Sequence, residues 1–191
     1  MKFNSFLAMV AAALMMVACG NNQNNKAAEE QAEVAQAVMI DQVLAEGEAL
    51  ADQLIEIEGV CTHICSHSAS KIFLLGENEG KTIRVEAAEL GSFDQKCVNS
   101  IVKVKGILHE ERIDEAYLQA WEERIANKTE EKHGDGDGGC DTEKAARGET
   151  ANTSVERIAD FRTKIAARKE ADGKEFLSFY YVEAKEYEIV E

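Results

Sequence analysis

Proline is absent from this 191-residue chain, and histidine and cysteine are scarce, at four and five residues. Without proline, turns must be made by Gly, Asn, Asp and Ser. Basic residues are also few: 21 Lys and Arg stand against 36 Asp and Glu, a net charge of −15. Nucleic-acid phosphates need a basic footprint, so the balance argues against nucleic acid as a partner. The same acidic surface favours solubility and tolerates cations. Long apolar runs are missing too. The run Phe6 to Val17 is about a dozen residues, too short to span a bilayer. Gly-x-Ser-x-Gly is not found, and Ser66, Ser68 and Ser70 beside His67 have no placed acid, which excludes the usual nucleophile constellations. No catalytic residue is expected, and the chain is read as a non-enzyme.

What is present begins with Lys2 ahead of that apolar run, the layout of a signal peptide over residues 1–18. Val17-Ala18-Cys19-Gly20 follows and resembles the lipobox of bacterial lipoproteins, with Met16 where leucine is usual. The resemblance implies cleavage before Cys19 and acylation of its thiol, hence a membrane partner reached through an N-terminal lipid. Residues 19–37 then read as a lipidated tether, rich in Asn, Gln, Ala and Glu. No acidic cluster adjoins Cys19, which favours the periplasmic side of the cell envelope over the cell surface. Export permits disulfides. The four other cysteines (Cys61, Cys65, Cys97 and Cys140) allow three pairings, and spacing leaves them open.

Residues 38–191 read as one domain. Val38 to Gln53 has helical spacing, with Asp41 as its cap. A pattern then occurs twice: Ile55-Glu-Ile-Glu-Gly59-Val-Cys61 and Val102-Lys-Val-Lys-Gly106-Ile-Leu108. Each is an alternating strand interrupted by a glycine, the signature of a bulge or bend. Lys71–Leu75 and Lys81–Ala87 lie between them, joined by Gly-Glu-Asn-Glu-Gly, and a last strand runs from Phe176 to Ile189. A helical turn at Ala88–Val98 would bring Leu90 and Phe93 onto an end of the barrel. In this order the strands resemble an OB-fold, and more narrowly the small exported OB-fold lipoproteins of bacteria. The resemblance implies a mainly β protein with helices: a five-stranded, Greek-key barrel with an N-terminal helix. Where a minimal OB-fold has a loop between strands four and five, this chain has an insertion of about residues 110–175, read as two helices. The first spans Asp114 to Lys132, with Ile113, Tyr117, Leu118, Trp121 and Ile125 in one stripe. The second starts at the capping box Thr153-Ser-Val-Glu156, carries Val155, Ile158, Phe161 and Ile165, and ends at Gly173.

Chemistry concentrates in two places. Cys61, His63, Cys65 and His67 occur at every second position, and His133 and Cys140 flank a Gly/Asp-rich segment inside the insertion. OB barrels take ligands on the face of strands two and three and on the loops between strands one and two and strands four and five. Cys65 and His67 fall on the first of those loops, and His133 and Cys140 on the second. A bulge at Gly59 would turn Val60 and Ile64 inward and the Cys/His row outward, sparing the core two histidines. Cys61 and Cys65 would be about 13 Å apart in an extended strand, too far for a disulfide. Mixed thiolate and imidazole suits zinc or copper, with Cys65, His67 and Cys140 as first ligands and His133, His63 or Cys61 completing the set. The alternative is a structural or interaction lipoprotein, metal-free, with disulfide-bonded cysteines (a Cys65–Cys140 bond clamping the insertion to the barrel) and an envelope protein as partner. Asp135, Asp137, Asp141 and Glu143 lack calcium-loop spacing and read as a solvated turn.

Overall fold

The computed structural model describes residues 34–66, 68–78, 80–129 and 140–190. In chain order the elements are β1 (Gln36–Ala37), α1 (Ile40–Leu50), β2 (Leu54–Ile64), β3 (Lys71–Leu75), β4 (Thr82–Glu86), two 3-10 turns (Ala88–Leu90 and Gln95–Cys97), β5 (Ile101–Asp114), α2 (Glu115–Ala126), α3 (Asp141–Ala146), α4 (Ser154–Asp172) and β6 (Phe176–Val190). Strands β2, β3 and β4 form an antiparallel meander. Strand β4 lies parallel to β6, β6 lies antiparallel to β5, and β5 returns to β2. The five strands therefore close into an OB-like barrel that leaves no sheet edge along β2–β6.

Period-two patterning explains the interior. Ile55, Ile57 and Cys61 of β2, Ile72 and Leu74 of β3, Ile83 and Val85 of β4, and Val102, Val104 and Leu108 of β5 all lie in one buried core. Helix α1 adds Ile40, Val43 and Leu50, and the segment after β4 adds Phe93 and Cys97. Leu90, expected with Phe93 on a barrel end, stays 39% exposed. The short strand β1 joins β2 in parallel at Ile55 and Glu56, where β3 does not reach. The end of the stretch expected as tether thus belongs to the sheet, and Val38 is buried. Asp41 does not cap α1. Its carboxylate accepts the backbone N–H of Glu77 and Asn78, at 2.8 and 3.1 Å, and ties the helix to the β3–β4 turn.

The two glycines of the repeated pattern differ in role. Gly106 lies at a true irregularity, where the β5–β6 register shifts. A Cβ there would sit 2.2 Å from the carbonyl oxygen of Glu183. Gly59 lies in unbroken register with β5, so the expected bulge is not there. It is small because α1 and β3 come close: a Cβ would lie 2.6 Å from both Ile40 Cδ1 and the Leu75 carbonyl oxygen. The bulge falls at Thr62 instead, between the pairs Cys61↔Leu74 and His63↔Phe73. Val60 therefore faces out, 40% exposed, and Cys61 faces in, contrary to the expected parity. From His63 onward the expected parity holds, with Ile64 buried.

Strands β5 and β6 continue past the barrel as a paired ribbon, from Glu110↔Tyr180 to Asp114↔Phe176. Helices α2 and α4 pack on it around a second core of Ile113, Leu118, Trp121, Ile158 and Phe161. Phe161 meets Phe179 edge-on, with centroids 6.0 Å apart. Asp114 caps α2 through Tyr117 N at 2.8 Å. Thr153 and Glu156 form the capping box of α4, which ends at left-handed Gly173. Among its described residues the segment between β5 and β6 holds three helices, where two were expected. Helix α2 stops at Ala126 and not near Lys132, and α3 is separate. Val155 is not in the α4 stripe and is 66% exposed.

Gly106→Ala is expected to destabilise the protein by about 1–3 kcal/mol, because backbone and not a movable side chain blocks the added methyl. A fall in the urea midpoint at unchanged m-value would report it. A wild-type midpoint would show that β6 yields freely at the bulge.

Candidate functional site

The bulge at Thr62 decides which groups reach the surface. Beyond it, pairing aligns His63 of β2 with Phe73 of β3, Arg84 of β4, Tyr181 of β6 and His109 of β5. These five residues form one row across the outer wall. The contacts follow the register: His63 and Phe73 rings lie 5.9 Å apart, Arg84 sits 4.6 Å over Tyr181, and His109 and Tyr181 rings lie 5.4 Å apart. This is the β3–β4 face on which an OB-like barrel presents ligands.

The insertion covers the middle of the row. Glu143 of α3 accepts from Arg84 Nη1 at 2.6 Å and from Arg147 Nη2 at 3.2 Å. Glu111 of β5 accepts from the same two arginines, at 3.1 and 2.6 Å. Lys71 and Glu86 extend the network, at 3.6 Å from each other. Phe73, an outward residue, is only 1% exposed because the insertion covers it. A cavity of about 110 Å³ remains between α3, β3, β4 and β6, lined by Phe73, Arg84, Glu143 and Arg147 among others. Burial alone would raise the Glu143 carboxyl, but Arg147, Lys71 and Arg84 outweigh it and hold the carboxyl below the usual range. Arg84 is likewise penalised by burial and held charged by Glu143, Glu111 and Glu86.

Cys140 is the N-cap residue of α3, so the network that docks α3 also fixes this thiol. Its Sγ lies 3.9 Å from His63 Nε2, at the end of the row, joining groups 77 residues apart. Two ligands of a tetrahedral zinc, one sulfur and one nitrogen, are separated by about 3.6 Å at ordinary bond lengths. Cys65 lies just past β2, half-buried, in a tight turn closed by its N–H to Lys71 O and by Ala69 N–H to its own carbonyl, both 2.9 Å. His67 and His133 lie outside the described residues. Cys61 is not with this group. It lies in the core with its Sγ 3.5 Å from the His63 carbonyl oxygen, and burial pushes its thiol up. Cys97 is also in the core, and burial, then the neighbouring Cys61, raises its thiol to about 11. All four described cysteines are free. Among the described residues no set of three His, Cys, Asp or Glu side chains is gathered for one ion.

Glu143 belongs to the ion network, while Asp141 pairs with Lys144 at 2.7 Å, so both carboxylates are engaged in α3 and its docking. Arg84, Glu111 and Arg147 were not singled out from sequence. Alternation in β4 does place Arg84 on the outer face, but its partners are 27 and 59 residues away. No known protein family and no curated protein matches this chain.

Because the Glu143 carboxyl is held low in the folded state, its stabilising effect is complete above the ordinary carboxylate range. It is lost as pH falls through the depressed folded value. Glu143→Gln is expected to cost roughly 1.5–3 kcal/mol near neutral pH and to flatten the acid limb of stability against pH. Thermal unfolding followed from pH 7 to pH 3 checks this. An unchanged acid limb would remove Glu143 from the account of docking.

Proposed function

We propose that the chain is a lipid-anchored protein of the bacterial envelope, on the periplasmic side, that binds a soft metal ion at the rim of its barrel. The signal segment 1–18 and the acylated Cys19 would supply the anchor, and residues 19–37 most of the spacing from the membrane. Among the described residues, no helix is long and apolar enough to cross a membrane. The site would be built on His63 and Cys140, with two of Cys65, His67 and His133 completing a four-coordinate set. Zinc or copper(I) fits this mixture of imidazole and thiolate. The reading is of a binder and not an enzyme, since the sequence offers no nucleophile with a placed base and acid.

One observation carries the proposal. The Cys140 sulfur and the His63 nitrogen stand 3.9 Å apart. That is within a few tenths of an ångström of the spacing two zinc ligands adopt. A second support is that α3, which carries Cys140, is fixed on the outer wall by partly buried ion pairs. A ligand held in place in this way loses little freedom on coordination.

Protein purified without chelators is expected to hold about one equivalent of zinc or copper. Cobalt(II) added to metal-free protein should give an intense near-ultraviolet sulfur-to-metal band, lost in Cys140→Ser and weakened in His63→Ala. Cys61→Ala should leave that band unchanged. A protein that binds no equivalent of metal and gives no cobalt band would leave the metal-free structural or interaction lipoprotein in its place.

A further inference from the structure

A second sulfur pair lies inside the barrel, away from Cys140. Cys61 and Cys97 are each 0% exposed and share one apolar core. They come from different segments, β2 and the end of the second 3-10 turn. Backbone bonds fasten those segments side by side. Cys61 forms a parallel bridge with Val98, the residue covalently next to Cys97. Its N–H donates to the Ser100 carbonyl at 2.9 Å, and its own carbonyl accepts from Asn99 N–H at 2.8 Å. Ser100 N–H in turn donates to the Cys97 carbonyl at 3.0 Å. The thiols are close enough for the charge on one to oppose ionisation of the other. Cys65 and Cys140 lie partly exposed, outside that core.

We propose that Cys61 and Cys97 form a disulfide that staples β2 to the segment leading into β5. The chemistry is thiol–disulfide exchange with an external disulfide, a small molecule or an exchange protein. One cysteine thiolate attacks that disulfide, forms a mixed disulfide and releases one thiol. The other cysteine then attacks the mixed disulfide at the protein sulfur and releases the second thiol. Two protein thiols are oxidised, one external disulfide is reduced to two thiols, and two protons pass from protein to product. Because neither sulfur reaches solvent once the barrel closes, the exchange belongs to folding, and the finished bond is shielded from reductants. The staple closes a long loop that holds β3 and β4, so it constrains the unfolded chain strongly. It leaves Cys65 and Cys140 free for the rim.

The full chain, reduced and unfolded, is refolded in mixed reduced and oxidised glutathione. It is then unfolded and alkylated without reductant, and digested. A peptide containing Cys61 should be linked to the peptide containing Cys97, with fragment spectra placing the alkyl label on Cys65 and another label on Cys140. Reducing the linked protein should lower its thermal midpoint by roughly 5–10 °C. Full alkylation of Cys61 and Cys97, or linkage of either to Cys65 or Cys140, would overturn the proposal. Cys97→Ala should keep the cobalt band of the rim site, and its loss would also overturn the separation of the two sulfur pairs. The mapping needs no metal, so a metal-free protein would leave this result standing.

Discussion

Thr62 has no partner residue in β3, and the pleat of β2 reverses around it. Everything chemical in the Cys/His segment follows from that reversal. Residues two apart on a strand normally share a face. Here Cys61 enters the core and His63 meets the outer wall, although only one residue separates them. Thr62 holds the reversal with its hydroxyl, which donates to the Phe73 carbonyl at 3.2 Å. Had β2 run without a bulge, His63 would have entered an apolar core with no partner, a cost of several kcal/mol. A bulge three residues earlier would have put Cys61 on the surface and broken the match with Cys97.

Once His63 is on the wall, the register does the rest. Five strands deliver one residue each to the same row, so an imidazole, a phenyl, a guanidinium, a phenol and a second imidazole lie in sequence around the barrel. A guanidinium on an aromatic face is a modest attraction when exposed and a larger one when water is removed. Helix α3 removes that water. It also brings the carboxylate that Arg84 then needs, because a buried, unpaired arginine would cost more than the packing gains. Glu143 and Glu111 together face Arg84 and Arg147, so charge is balanced locally within a chain whose net charge is −15. The same docking determines where Cys140 stands.

The barrel was legible in the sequence because its strands obey a two-residue period and lie in OB order. The twin glycine motifs located β2 and β5, but not the bulge. Gly59 and Gly106 look alike in sequence, and only contacts from α1, β3 and β6 separate close approach from irregular pairing. That the insertion comes back to the end of β2 was legible in outline, since the strand order brings the two segments to one rim. The pair that meets is His63 with Cys140, because parity after Thr62 selects the outward residue. Helix α3 was not legible. At six residues it is too short to show a period, and it is held by ion pairs across 36 and 59 residues of chain.

The cysteines show how one residue type is given two chemistries by position alone. Inside the barrel, low polarity disfavours thiolate, so Cys61 and Cys97 are poor ligands for an ion arriving from solvent. On the rim, Cys140 keeps partial exposure and has an imidazole as its neighbour, the pair on which the proposed metal site is built. If all four sulfurs had shared one face, oxidation would have had several competing pairings open to it, including ones that use the sulfurs of the proposed metal site. The reversal at Thr62 puts the barrel wall between Cys61 and the outer residues that follow it. A strand irregularity that looks like a packing detail therefore sets which sulfur faces the core and which imidazole faces Cys140.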